Sequence, residues 1–465
     1  MLAGTATRTA HDAAVENLRR ARAGAGAVQL GKPSSNLFRF GDRDTGAAAR
    51  RLDTSALNGV LGVDPEGRAA SSEGGSPIYT AEVQGMATYE TIVDATLAHG
   101  LMPLVVPQLK TITLGGAVTG LGVESTSFHA GLPHESVLEM DVLTPAGELL
   151  HVTPDGEHAD LFAAFPNSYG TLGYALRLVV ELAPVKPFVK LTHHRYPTAS
   201  AASAAIERFV AAGEIDFLDG VVFGPDEQYL TTGEFVDAPM PGARISDYTG
   251  QEVFYRSLQR RPVDHLTVRD YLWRWDTDWF WCSRAFGVQH PVVRRFWPRR
   301  WRRSDVYRRL VALDQRYGAS NRVREALGGT AEEMVVQDVE IPVERLPEFL
   351  EFFHREIPVL PVWLCPLQLR GERTWPLYPM EPGRLYVNVG FWSSVPEKPS
   401  DRWAHNRLIE ECVADLGGHK SLYSTVHYGE DEFWAHYNGA AYRAVKQRYD
   451  PDGRAPDLFR KVTGR

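Results

Sequence analysis

The sequence predicts an α+β chain in two main parts, and three observations predict it. A glycine-rich stretch, residues 107–132, closes a strand–helix–strand pattern. A hairpin pattern and a second glycine corner, residues 168–173, come next. Past Pro184 and Pro187, strands follow one another with helices between them. Successive strands with helices to one side form an antiparallel sheet covered on one face. The two prolines punctuate the chain, so the expected domains are 1–185 and 186–440, with 441–465 as a tail.

Length and composition set the frame. With 465 residues and 44% hydrophobic content, the chain is long enough for two or three domains around a sizeable core. A net charge of −8 gives no reason to expect a nucleic-acid partner. Cys282, Cys365 and Cys412 show no paired spacing, so neither a disulfide framework nor a metal site is expected. The N-terminal stretch lacks the apolar core of a secretion signal, and no stretch approaches the ~20 apolar residues of a membrane span. A cytoplasmic protein is expected.

Taken in order, residues 11–23 read as an amphipathic helix ended by Gly24-Ala25-Gly26, and a strand starts at Val28. Residues 57–63 have strand character, 90–99 form a helix closed by Gly100, and the β-rich run 101–106 feeds the glycine-rich stretch. Residues 138–143 and 148–152 pair as a hairpin about Thr144-Pro145-Ala146-Gly147. A short helix with Asp160 near its start and an alternating strand, 174–182, complete the first part. In the second part, 200–212 is Ala-rich and helical, and 217–223 and 228–234 alternate as strands. Residues 333–341, 361–369 and 384–391 are further strands, with a helix at 346–356.

Gly115, Gly116, Gly120, Gly122 and Gly131 punctuate the central stretch among Thr and Ser hydroxyls. Glycine lets backbone approach a ligand closely and reach positive φ, so successive N–H groups can converge on a pyrophosphate. A dinucleotide cradle is expected from Thr113, Gly115, Gly116, Gly120, Gly122, Ser125 and Ser127, faced by Gly170, Thr171 and Gly173; the alternative is a surface loop between strands. No Walker loop, His-Glu-x-x-His, Gly-x-Ser-x-Gly or Rossmann Gly-x-Gly-x-x-Gly occurs. Phosphoryl transfer, zinc hydrolysis and α/β-hydrolase chemistry therefore lack residue support.

This succession of segments resembles the FAD-binding domain of the vanillyl-alcohol-oxidase and p-cresol-methylhydroxylase (PCMH) superfamily. Residues 113–127, Thr-Leu-Gly-Gly-Ala-Val-Thr-Gly-Leu-Gly-Val-Glu-Ser-Thr-Ser, are similar to the corresponding loop of the 24-dehydrocholesterol reductase family, whose members saturate a sterol side-chain alkene. Val335-Val336-Gln337-Asp338 and Val362-Trp363-Leu364-Cys365-Pro366 resemble the same family, in its order. The resemblance implies a two-subdomain PCMH-type FAD-binding domain, then a substrate domain whose antiparallel sheet, covered by helices, roofs the flavin. It also implies a tail, marked by Tyr449-Asp450-Pro451, that returns to the FAD domain. Loop 31–39 stands where the superfamily keeps its first pyrophosphate loop, which gives Lys32, Ser34 and Ser35 as cofactor contacts. Many relatives hold a flavin-linking histidine there and this chain has none, so non-covalent FAD is expected.

The activity implied is reduction of an isolated C=C bond in a lipid, with NADPH as donor. The substrate is a sterol side chain or, in keeping with an Ala-, Arg- and Gly-rich composition like that of GC-rich bacteria, a methylene-branched acyl chain of a phospholipid. In the second case a lipid methyltransferase would act upstream. The alternatives are an FAD-linked oxidase or dehydrogenase of an alcohol or sugar, and a flavin-free lipid-binding protein.

Saturating an alkene needs a hydride at one carbon and a proton at the other. Asp338, Glu340, Tyr386 and His427 are the candidate catalytic residues, and Gln337, Trp363, Cys365 and Asn388 the candidate substrate contacts. Asp338 and Glu340 are two apart and share a strand face. A desolvated carboxyl there would stay protonated and could donate; the alternative is an exposed polar face. Finally, residues 269–309 interleave Trp273, Trp275, Trp279, Trp281, Trp297 and Trp301 with arginines. Indoles and basic side chains together suit an anionic membrane surface, so peripheral association with the inner face of the plasma membrane is expected; the alternative is a tryptophan core with a solvated arginine face.

Overall fold

The computed structural model describes residues 7–23, 28–31, 37–39, 50–68, 77–317, 332–398 and 401–464. Strands β1 (Val28–Leu30) and β2 (Arg50–Leu52) pair in parallel beside the helix Arg8–Ala23. The first large sheet comprises β3 (Val60–Arg68), β4 (Ile78–Gln84), β5 (Leu101–Pro103), β6 (Val137–Leu143), β7 (Leu149–Val152) and β8 (Tyr174–Pro184). Its order is β3-β4-β8-β6-β7, with β5 also on β8 and every pairing antiparallel. Thr88 caps the helix Tyr89–Leu97 by accepting from the Thr91 N–H.

The glycine-rich stretch is not an open loop. The Thr113 hydroxyl accepts from the Gly116 N–H at 3.2 Å and starts a short helix, Leu114–Gly120. This helix crosses the sheet so closely that side chains are excluded: a Cβ on Gly85 would lie 1.9 Å from the Ala175 carbonyl oxygen, and one on Gly115 would lie 2.8 Å from the Gly85 oxygen. Gly115 is thus required by a chain crossing.

The second sheet begins just after β8 ends. It holds β9 (Phe188–Tyr196), β10 (Phe217–Gly224), β11 (Glu227–Val236), β12 (Val263–Thr267), β13 (Glu332–Pro342), β14 (Val362–Leu367), β15 (Tyr386–Pro396) and β16 (His419–Lys420). The order is β12-β9-β11-β10-β14-β15-β13-β16, antiparallel throughout. The fold is therefore α+β, as the sequence predicts. One face, with Leu218, Leu230, Val335, Val339, Leu364 and Phe391, is buried under the helices Ala199–Ala212, Leu346–Glu356 and Ala404–Asp415. The other packs against the first domain and against an insert between β12 and β13.

That insert holds the tryptophans, and they are core. Trp273, Trp275, Trp279 and Trp281 are all buried, which corrects the expectation that they face a membrane. Asp219 on β10 accepts from Arg274 at 2.7 Å, the Trp275 indole at 3.1 Å and the Trp363 indole at 3.4 Å, tying insert to sheet. Trp279 and Phe280 sit at positive φ, 47° and 56°, and the Phe280 ring lies edge-on to Trp392 with centroids 4.3 Å apart. The helix Gly439–Tyr449 lies on the first domain, where Tyr449 meets Asp160 at 2.8 Å and Lys446 donates to the Thr171 carbonyl at 2.8 Å.

Gly85→Ala forces the strand–helix crossing apart and is expected to destabilise the protein by about 3 kcal/mol or more. Gly62→Ala, where an added Cβ meets nothing within 4 Å, should stay within about 0.5 kcal/mol of wild type. Equilibrium denaturation of both variants measures the difference; equal stabilities would show that the crossing relaxes freely.

Candidate active site

Where the two domains meet, Tyr169 clasps the glycine-rich segment. Its N–H donates to the Thr119 carbonyl at 3.0 Å, its hydroxyl donates to the Gly120 carbonyl at 2.8 Å, and a Cβ on Gly120 would lie 3.3 Å from its ring. Leu121, Asn167 and Tyr169 all adopt positive φ, 59°, 61° and 49°. Non-glycine residues held there store strain, and such strain gathers at functional sites. The Arg39 guanidinium stacks 4.9 Å from the Tyr169 centroid and donates to the Leu422 and Lys461 carbonyls, so the clasp joins the N-terminal segment, both glycine corners and the chain after β16.

The sheet face opposite the helices carries the carboxyls. Asp338 pairs in register with Gly390, and Gly390 with Trp363; Glu340 pairs with Asn388, and Asn388 with Cys365. The Asp338 carboxyl lies over the bare Cα of Gly390, where a Cβ would be 2.5 Å from its Oδ1 and 3.2 Å from the Trp363 ring. Burial pushes its pKa up to about 7, with Tyr423 and Asn388 opposing part of the rise. Glu340 is pushed up to about 8 by burial, again only partly offset, by the Tyr378 hydroxyl; the neighbouring Asp338 charge adds to the rise. Tyr378 donates a short hydrogen bond to Glu340 Oε2 and Ser421 donates to Oε1 at 3.1 Å. The two carboxyls titrate as a coupled pair.

A second buried polar group adjoins the first across Cys365, whose thiol burial raises well above its ordinary pKa and which also feels Glu124, Asp219 and Asp338. Glu124 accepts the Gln108 N–H at 2.9 Å, and burial pushes it up to about 8. Both side-chain amide atoms of Gln108 and of Asn388, with Glu124 Oε2 and Asp338 Oδ1, are buried without a hydrogen-bond partner among the described residues. Each such group costs about 1–3 kcal/mol if left unmet, so several in one layer point to a polar ligand. An isoalloxazine ring, with carbonyl acceptors and an N–H donor along one edge, fits that set.

The residues singled out from sequence divide by location. Asp338, Glu340, Trp363, Cys365 and Asn388 share the face turned to the first domain. Tyr386 lies on that face too, further along β15, against His419. Gln337 points the other way, donating to Asn406 on the helix Ala404–Asp415 at 2.7 Å, so it belongs to the helix packing. The His427 ring packs on Trp403 and its backbone N–H donates to Glu410. Ser125 and Ser127 stitch the domains together: their carbonyls accept from Leu218 and Gln368, and the Ser125 hydroxyl meets Tyr271 at 2.9 Å. Gly122 packs on Pro133, and Gly173, at φ 139°, crosses Leu143. Gly116, Gly170 and Thr171 remain at the clasp, whereas Lys32, Ser34 and Ser35 lie outside the described residues. Sequence reasoning did not select Arg39, Gln108, Glu124, Tyr169, Tyr378 or Tyr423. Of these, Tyr169 between Ser168 and Gly170 was the most legible, as a bulky residue inside a glycine corner.

Residues 40–153, which include the glycine-rich stretch, match the FAD binding domain family, and the protein is an FAD-binding oxidoreductase. The chain is similar to Delta(24)-sterol reductases. It is 27% identical to the protein from Rattus norvegicus over 372 residues, covering 77% of this chain and 69% of the relative. It is 26% identical to that from Homo sapiens over 391 residues, covering 82% and 73%. Identity to the Arabidopsis thaliana protein is 26% over 424 residues, again covering 82% and 73%.

Glu124 gives a stability test. Its folded pKa, about 8, lies above its ordinary 4.5, so the stability contributed by the protonated carboxyl is complete below about pH 4.5 and is lost as pH rises toward 8. The loss is at most about 1.4 kcal/mol per pH unit. Thermal denaturation of Glu124→Gln, whose amide oxygen can still accept from Gln108, should show a flatter decline between pH 5 and 8 than wild type; parallel curves would mean that Glu124 does not titrate there.

Proposed function

We propose that the protein is an FAD-dependent reductase that saturates an isolated C=C bond in a lipid, with NADPH as electron donor. The observation that carries this reading is the Asp338–Glu340 pair, one half-buried and one buried carboxyl whose pKa values are pushed up to about 7 and about 8, on the face that meets the glycine-rich domain. The activity for which the similar Delta(24)-sterol reductases are named supports it. FAD held at the clasp would supply the hydride chemistry for one alkene carbon. Asp338 gives its carboxyl proton to the other, and solvent restores that proton afterwards. Asp338 is the better placed donor: both Glu340 oxygens are engaged by Tyr378 and Ser421, whereas Asp338 Oδ1 has no partner among the described residues. Glu340 acts by proximity, because two carboxylates so close resist ionising together.

Thr113, Gly116, Gly120, Gly122, Gly170 and Thr171 would border the dinucleotide, held without a covalent bond, while Trp363, Cys365 and Asn388 would line the substrate side. The apolar bed of Trp275, Phe280, Trp363 and Trp392 suits an alkyl chain, and we favour a methylene-branched acyl chain of a phospholipid over a sterol. The methylene branch would then come from a lipid methyltransferase acting upstream.

Acid precipitation should release all yellow colour into the supernatant; colour kept in the pellet would overturn non-covalent binding. Anaerobic NADPH should bleach the flavin band, and methylene-branched phospholipid should restore it while forming a product two mass units heavier, since one hydride and one proton are added. Asp338→Asn should lower lipid-dependent reoxidation roughly 10²- to 10⁴-fold and leave reduction by NADPH unchanged. Wild-type turnover should fall as pH rises above about 7, where the acid ionises. Peroxide release with simple alcohols, and no lipid product, would favour an oxidase instead.

A further inference from the structure

The arginines and aromatics of 269–309 fall into two structural populations. Arg294 is fully buried, bonded to Asp278 at 2.6 and 3.0 Å and to the carbonyls of Gly250, Tyr248 and Glu252. The buried Arg302 guanidinium donates to the carbonyls of Thr249, Gly250, Arg294 and Trp297. Arg303 forms a two-point pair with Glu90 at 2.7 and 2.8 Å. These three staple the segment 291–303 to the body of the protein.

What the staples present outward is different. Along the helix Pro291–Phe296 and the turn Arg299–Trp301, Val292 is 59% exposed, Phe296 78% and Trp301 46%, beside the exposed Arg295, Arg299 and Arg300. Next to them lies a cavity of about 550 Å³ whose lining includes Pro291, Phe223 and Tyr255, with Arg256, Arg260 and Arg284. None of these six arginines forms an ion pair among the described residues, in a chain whose net charge is −8. An apolar prow flanked by guanidinium groups without an ion pair among the described residues is complementary to a surface that is anionic outside and apolar beneath.

We propose that this face docks on an anionic lipid bilayer, with Phe296, Val292 and Trp301 entering the headgroup boundary and the arginine ring meeting lipid phosphates. No helix among the described residues is long and apolar enough to cross a membrane. The cavity wall leads inward: Tyr255 lies 6.3 Å from Trp281, Trp281 lies 6.3 Å from Trp392, and the Trp392 indole donates to Tyr423 beside Asp338. A docked bilayer would thus stand at the outer end of an aromatic path to the carboxyl pair.

The test is co-sedimentation of the flavin-loaded protein with vesicles of phosphatidylglycerol and phosphatidylcholine, and with phosphatidylcholine alone, at low and high salt. It reads no catalysis, so its outcome is independent of the alkene assignment. Wild type should sediment with the anionic vesicles at low salt and be released at high salt. Arg295→Gln with Arg299→Gln and Arg300→Gln should bind roughly 100-fold more weakly. Phe296→Ser with Trp301→Ser should weaken binding as well, and both variants should keep the wild-type melting temperature because the three stapling arginines are intact. Wild type remaining in the supernatant, or both variants sedimenting like wild type, would overturn the proposal. Retention on heparin without binding to vesicles would also overturn it, assigning the face to a polyanion.

Discussion

The alternation of side chains along β13 is the constraint on which the site depends. Val335, Val339 and Ile341 must lie beneath the helices that cover the sheet, and the residues between them have only the other face left. Burying each of those apolar side chains is worth about 1.5–3 kcal/mol. A one-residue slip would turn all three toward the first domain and thrust both carboxyls under Phe353 and Ile409. The hydrophobic packing on one side of the sheet thereby sets both acids on the other, toward the first domain. Gln337, in phase with the valines, is consistent with this: its amide is satisfied by Asn406 within the helix packing.

Local pattern was legible in the sequence, and long-range pairing was not. The strands at 217–223, 228–234, 333–341, 361–369 and 384–391 announce themselves by alternation, and the shared face of Asp338 and Glu340 follows from their spacing. The glycines were harder, because approach to a ligand and passage of one backbone over another require the same residue. Only the contacts of Gly115 with Gly85 and of Gly173 with Leu143 tell the two uses apart. Strand β9 alternates as clearly as the others, yet it follows two prolines that read as a linker. Ser125 and Ser127 look like ligand hydroxyls until β10 and the chain after β14 are brought beside them.

Arginine shows the same ambiguity in sharper form. Arg274 and Arg294 lie within twenty residues of each other and are both buried, each against an aspartate. Their neighbours Arg295, Arg299 and Arg300 are exposed. Nothing in residue type separates these groups. Asp219, Asp278 and the carbonyls of 248–252 do, and those partners come from other elements of the fold. Removing one member of a buried pair strands the other charge in a medium that solvates it poorly, whereas an exposed guanidinium can be exchanged at little cost to the fold.

The adjacent left-handed residues Trp279 and Phe280 carry a consequence for the order in which the chain assembles. A left-handed conformation costs an ordinary side chain roughly 1–2 kcal/mol per residue, and the local support for two bulky aromatics in succession is a pair of backbone hydrogen bonds, Trp279 to Asp276 and Phe280 to Trp275. What holds them is the stacking of Phe280 on Trp275 and its contacts with Trp363 of β14 and Trp392 of β15. Those strands must already be paired before the aromatic pair gains anything by adopting its native backbone. The insert therefore condenses onto a preformed sheet late in folding, and a substitution within it should chiefly speed unfolding and scarcely slow refolding.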